Sequence, residues 1–266
     1  MLKAGKLAAA VVIGVVVSAA PAGAQVKTRE VEYSAGGTVL KGFLAWNGDI
    51  GGKRPGVLVV HEWWGHNDYA RRRATMLADL GYIALAVDMY GDGRTAAHPE
   101  DAGKFAGELM KNAEVAKARF MAAYDFLRAQ PQTDTGRIAA IGYCMGGGVV
   151  LNMARAGVEL KGVASFHGSL AANVTADPGG VRAKLLVLHG EADKFVPPEA
   201  VEAFRAEMAA AKADLTFIAY PGATHSFTNP DADEFAKKFG MPVAYNADAD
   251  EKSWGELKRF LADVLR

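Results

Sequence analysis

The sequence predicts an α/β fold in which a mostly parallel central sheet carries helices on both faces. Two patterns predict it. Short apolar runs alternate with longer segments of helical period along nearly the whole chain, as strand–helix–strand crossovers do. The runs are also continuous, as in Val57-Leu58-Val59-Val60, and a strand apolar on both sides is one buried on both faces. No stretch rich in Ser, Pro or Gly marks a linker and no segment repeats, so residues 25–266 read as one domain.

Residues 1–24 stand apart. Lys3 and Lys6 precede an apolar stretch over residues 7–20, and Ala22-Gly23-Ala24 follows. A basic start, a short apolar region and small residues before the cut make a secretory signal peptide, with cleavage expected after Ala24. A spanning helix needs roughly 20 apolar residues, and no other segment is apolar enough, so no membrane contact is expected after cleavage. The mature chain would be secreted or periplasmic.

The elements follow in order. Residues 29–46 hold two loosely alternating runs around Gly36-Gly37, a hairpin signal. Residues 57–60 are the first buried strand. Residues 67–80 are helical and stop at Gly81. Residues 83–87 are the next strand, ending at Asp88. Residues 99–129 carry helix formers and no strand signal, hence one long or broken helix. Strands follow at 138–143, 163–166, 185–189 and 215–220. Helices follow at 145–156, 198–211 and 253–265.

Charge is balanced, with 30 basic and 30 acidic residues. No Lys and Arg run interleaves with aromatics, so a nucleic-acid partner is not expected. Arg71-Arg72-Arg73 is the densest basic cluster and reads as a solvated helix face. There is a single cysteine, Cys144. In an exported chain it can form no internal disulfide, which leaves intermolecular pairing, an inert buried thiol or a chemical role.

The local sequence favours chemistry. Gly142-Tyr143-Cys144-Met145-Gly146 follows a strand and opens a helix. That is the nucleophile-elbow pattern of the α/β-hydrolase fold with cysteine in the place of serine. The turn is sharp, so the positions two residues either side must lack side chains. It lifts the sulfur to a helix N-terminus, where the dipole favours a thiolate, and aims the Met145 amide at a developing oxyanion. The alternative is a structural cysteine beside a glycine-rich helix contact.

An acid and then a histidine should follow, each after a strand. Asp193 lies in Gly190-Glu191-Ala192-Asp193-Lys194-Phe195-Val196-Pro197, and His225 in Gly222-Ala223-Thr224-His225-Ser226-Phe227. His225 would move the thiol proton, and Asp193 would orient the imidazole. Glu191 and Asp88 are rival acids, and Asp88 precedes the nucleophile in sequence. His61-Glu62-Trp63-Trp64-Gly65-His66 follows the first buried strand, where this fold draws its second oxyanion amide, expected from Trp63. The two histidines are five apart, a poor spacing for zinc on one helical face, and neither metal nor cofactor is expected. The placement of Glu62 argues for contact with Cys144.

These segments together, with Asp88-Met89-Tyr90, resemble the dienelactone hydrolase family from about residue 30 to the end. The resemblance implies a Cys-His-Asp triad without a cofactor. It also implies a switch, in which the glutamate matching Glu62 keeps the resting thiol neutral until substrate moves it. In the family, arginines after the Asp-Leu-Tyr and His-Ser-Phe segments hold a substrate carboxylate. Here Asp92 stands at the first place with Arg94 two residues along, and Asn229 stands near the second. An anionic lactone would lose a clamp worth roughly 1.5–3 kcal/mol.

The reading is therefore an exported, thiol-dependent hydrolase of a small-molecule carboxylic ester or lactone. Trp64, Tyr90, Arg94, Phe195 and Phe227 are candidate substrate contacts. Two other functions fit the same residues: an acyltransferase or thioesterase, and a ligand-binding protein that keeps the fold. The residues do not speak to oligomeric state, and residues 231–250 could cover the site.

Overall fold

The computed structural model describes residues 25–266, so the leader expected over residues 1–24 lies outside the described residues. The chain begins with the hairpin the Gly-Gly pair signals. Strands β1 (Val26–Ala35) and β2 (Thr38–Asn47) pair antiparallel around Gly36 and Gly37, both at positive φ. Strands β3 (Arg54–Val60), β4 (Ile83–Val87), β5 (Thr133–Tyr143), β6 (Gly162–Phe166), β7 (Lys184–Gly190) and β8 (Leu215–Tyr220) follow. The sheet order is β1-β2-β4-β3-β5-β6-β7-β8. β2 joins β4 antiparallel, and every pairing from β4 to β8 is parallel.

The continuous apolar run of β3 is explained by its two faces. Leu58 and Val60 face a core that includes Phe120, Leu127, Val149 and Val150. Val57 and Val59 face the opposite core with Tyr69, Leu77, Leu257 and Leu261. Helices α3 (Ala113–Arg128) and α4 (Met145–Arg155) supply the first, and α1 (Asp68–Asp79) and α7 (Ala247–Val264) the second.

The order reverses at β3. From there the chain goes to β4 on one side and then to β5 on the other. Such a switch point opens a crevice at the carboxyl ends of the strands. The loop after β3 and the turn after β5 meet there, so topology fixes where chemistry can be assembled.

Several boundaries differ from the sequence reading. The helical stretch 99–129 is broken into α2 (Pro99–Met110) and α3, because Asn112 leaves helical geometry and caps α3 by accepting from the Val115 amide. The closing helix begins at Ala247 rather than 253, with Asn246 accepting from the Ala249 amide. Between α5 (Pro198–Ala210) and α7, residues 231–250 contain a short helix, α6 (Ala232–Phe239), closed by Gly240 at φ 66°. Phe235 and Phe239 of α6 pack on Trp64.

Arg71-Arg72-Arg73 is not a uniformly solvated face. Arg73 is buried, donating to the Thr228 carbonyl at 2.7 Å and to Asp250 at 2.6 Å. Only Arg72 of the three is exposed, while Arg71 reaches Glu30.

Candidate active site

The elbow is built as its glycines require. Cys144 sits at φ 53° and ψ −117° between β5 and α4, a left-handed strain for a residue with a side chain. A Cβ on Gly142 would stand 2.1 Å from the Gly146 carbonyl oxygen, and one on Gly146 would stand 2.4 Å from the Val60 carbonyl oxygen. Any side chain there would push the turn off the sheet. Met145 is the first residue of α4, and the first amides of a helix have no partner inside it. Among the described residues its N–H has no backbone partner, as an oxyanion donor requires.

Asp193 and His225 come from the loops after β7 and β8. His225 Nδ1 lies 2.7 Å from Asp193 Oδ2, and the Asp193 carboxylate has no solvent exposure. Its other oxygen accepts from the Phe195 amide at 2.8 Å. Nδ1 donates to the Asp193 carboxylate, which leaves Nε2 as the ring nitrogen available for other chemistry. Burial lowers the His225 pKa, but interaction with Cys144 and the Asp193 hydrogen bond outweigh it and raise it from 6.5 to about 10. His225 is thus bonded to the acid and lines the same cavity as the thiol.

The rival acids have other work. Glu191 is exposed. Asp88 accepts from the amides of Lys41, Tyr90, Gly91 and Gly93, which folds residues 88–93 into a tight loop.

The loop after β3 is held by two buried rings. His61 Nε2 accepts from the Met89 amide at 3.2 Å, so Nδ1 donates to the Glu62 carbonyl. The Tyr90 hydroxyl donates to the Trp63 carbonyl at 2.8 Å and lies 3.3 Å from the Met145 sulfur. Tyr90 thereby ties together the two segments expected to supply oxyanion amides.

Glu62 is buried, and it departs from expectation. No Glu62–Cys144 hydrogen bond is among those of the described residues. Its Oε2 accepts from the Asn229 side-chain amide at 2.6 Å instead. Burial pushes its carboxyl above the usual range, with Asn229, His225, Ser226 and Arg73 opposing. Oε1 has no hydrogen-bond partner among the described residues.

A cavity of about 440 Å³ opens over Cys144 and His225. Its walls are mainly apolar: Trp63, Ala106, Met110, Met145, Val196 and Met241. Asn173 and Ser169 add polar groups, and Phe195 lines one rim with 53 % of its surface exposed. Met241 follows α6, so residues 231–250 do contribute a wall.

Of the five expected substrate contacts, only Phe195 lines this cavity. Trp64 is buried under α6, and Phe227 packs on Tyr220 and His167 in the core. Tyr90 is buried beneath the Trp63 loop. Arg94 donates to the Tyr90 carbonyl and lies over the Phe105 ring. Trp64, Tyr90 and Phe227 are core residues rather than pocket walls.

Sequence reasoning missed a buried polar chain behind His225. The Tyr69 hydroxyl meets Thr228 Oγ1 at 2.5 Å, and Thr228 Oγ1 meets His167 Nε2 at 2.7 Å. The His167 ring packs edge-on to His225 with centroids 5.3 Å apart. Burial, then His225 and Arg73, push the His167 pKa well below its usual value, so it is neutral. Its only signal in the sequence is His167 lying just past the end of β6, the strand beside the elbow strand.

Comparison with known proteins places these features in context. The dienelactone hydrolase family model matches residues 40–265. The crystal structure of a dienelactone hydrolase-like promiscuous phosphotriesterase from metagenomic libraries is 36 % identical, with 92 % of this chain and 100 % of that one covered and a TM-score of 0.86. Another solved structure, m3DLH, is 39 % identical, with 91 % and 99 % covered and a TM-score of 0.86. An uncharacterised protein of Caenorhabditis elegans is 36 % identical over 156 residues, 56 % of this chain and 94 % of its own.

Proposed function

The chain belongs to the dienelactone hydrolase family of carboxylic ester hydrolases, and from that premise we propose a thiol mechanism for its hydrolysis of an ester or lactone. His225, its pKa raised to about 10, already holds the Cys144 proton near neutral pH, and the thiolate attacks the carbonyl carbon. The tetrahedral oxyanion lies between the Met145 and Trp63 amides. As the C–O bond breaks, His225 returns the proton to the leaving oxygen, and an acyl-thiol remains. Water then attacks and gives its proton to the now neutral His225, and the acid leaves with the Cys144 thiolate and the His225 cation restored. Asp193 holds the imidazole in the required tautomer.

The observation that carries this reading is His225 itself, bonded to Asp193 at 2.7 Å and sharing a cavity with Cys144. An inert structural cysteine has no need of a buried acid–base pair. Glu62, held by Asn229 rather than bonded to sulfur, serves to support the proton transfers at His225, with which it interacts. The test is hydrolysis of p-nitrophenyl esters and small lactones with and without iodoacetamide. Turnover that vanishes as Cys144 alkylates supports the mechanism, and turnover that survives full alkylation contradicts it.

Phosphotriester hydrolysis is a second reading, favoured by the apolar cavity and by the 36 % identical phosphotriesterase. Paraoxon as substrate, under the same alkylation, tests it. The basic and apolar leader of residues 1–24 supports export of the enzyme, and a mature N-terminus at Gln25 in the secreted fraction is the expected readout.

A further inference from the structure

We propose that the enzyme acts on neutral esters with an extended apolar acyl chain, seated in a groove that continues the catalytic cavity past Phe195 onto α5. The inference rests on the ester-hydrolase reading above and names its substrate class.

A second depression of about 280 Å³ borders the catalytic cavity, and Ser169, Ala171, Phe195 and Val196 line both. It runs between the 169–172 loop and α5, over Ala200, Ala203 and Phe204. Phe195 is the partition. Its ring packs edge-on to His225 with centroids 5.0 Å apart, and it is half exposed. The two spaces are thus one path that begins at the reacting atoms. The acyl group is the part that stays on sulfur after the alcohol leaves, so a groove starting at the nucleophile's own cavity retains that part.

Charge decides what chain it takes. Among the described residues lining the cavity over Cys144 there is no Lys, Arg, Asp or Glu. The groove has one acid, Glu207, and both its oxygens already accept from Arg155 at 2.8 Å. Beyond His225 at the reacting end, a chain ending in a carboxylate would find no cation on this path and would lose its hydration for nothing. An apolar chain gains from burial at every carbon. At about 0.8 kcal/mol per methylene, each one seated raises kcat/KM by about fourfold.

The test uses the mature enzyme and p-nitrophenyl esters from acetate to decanoate. The rate constant kcat/KM should climb from butanoate to at least octanoate. p-Nitrophenyl hexanoate should exceed mono-p-nitrophenyl adipate, its equal in acyl carbons, by tenfold or more. Ala203→Trp, an exposed α5 position that narrows the groove, should cut the decanoate-to-acetate ratio at least tenfold. A profile that is flat or falls beyond butanoate, or an adipate rate equal to the hexanoate rate, overturns the proposal while leaving ester hydrolysis standing. An unchanged ratio in Ala203→Trp overturns the seat on α5. Failure on acetate and every longer ester removes the underlying function and this inference with it.

Discussion

His225 Nδ1 and Asp193 Oδ2 stand 2.7 Å apart although 32 residues and a helix separate them in the chain. The carboxylate is fully shielded, and the Phe195 amide fixes its other oxygen. Asp193→Asn offers the wrong group to Nδ1 and favours the wrong tautomer. Its kcat/KM should fall about 10³- to 10⁴-fold with the fold intact. Glu191→Gln, at an exposed position, should change little. Equal losses in the two variants would take Asp193 out of its role.

The same pair sets a pH dependence of stability. Burial lowers the His225 pKa, yet Cys144 and Asp193 together lift it from 6.5 to about 10. The folded state therefore holds the proton more tightly than the unfolded chain. That contribution is complete below pH 6.5 and fades as pH approaches about 10. Thermal scans across this window should show Tm falling, and the fall should flatten in His225→Gln. Parallel curves would assign the titration to other groups.

Glu62 carries the opposite signature for an acid. Burial raises its carboxyl pKa above the usual value, so ionisation costs the folded state stability as pH rises above the unfolded value. Glu62→Gln keeps the shape and removes that cost. It should raise Tm at pH 8 by more than at pH 4, while lowering kcat by about 10²-fold if the carboxylate assists proton transfer. A variant with wild-type kcat would leave Glu62 a packing residue.

Arg73 is predicted to be structural. It joins α1 to the Thr228 carbonyl and to Asp250 of α7 from a position only 4 % exposed. Arg73→Met strands the partly buried Asp250 without its cation and should cost about 3–5 kcal/mol in chemical denaturation. A loss under 1 kcal/mol would mean the cluster is as solvated as its sequence suggests.

That last contrast shows where sequence reading stops. The buried strand 83–87 is legible to the residue because a doubly buried strand must be continuously apolar, and the part-exposed edge strand 215–220 is legible from its aromatic and β-branched residues. The elbow is legible because only glycine fits beside Gly146 and Val60. Cys144, Asp193 and His225 follow from chain order, since each sits just past a strand end. What cannot be read is which tertiary neighbour a long side chain meets. Arg73 looks solvated until Asp250 arrives from 177 residues away. Trp64 and Phe227 look like pocket walls until α6 and Tyr220 cover them. Glu62 was placed near the right atoms, but its partner, Asn229, comes from a distant loop.

The most direct test of the account is to quench the enzyme during turnover of a p-nitrophenyl ester and measure its intact mass. The expected result is a population heavier by one acyl group, mapped by peptide fragmentation to Cys144 and absent from folded Cys144→Ala, whose turnover is lost. A folded Cys144→Ala protein that still hydrolyses the ester, or an acyl group on any other residue, would contradict it.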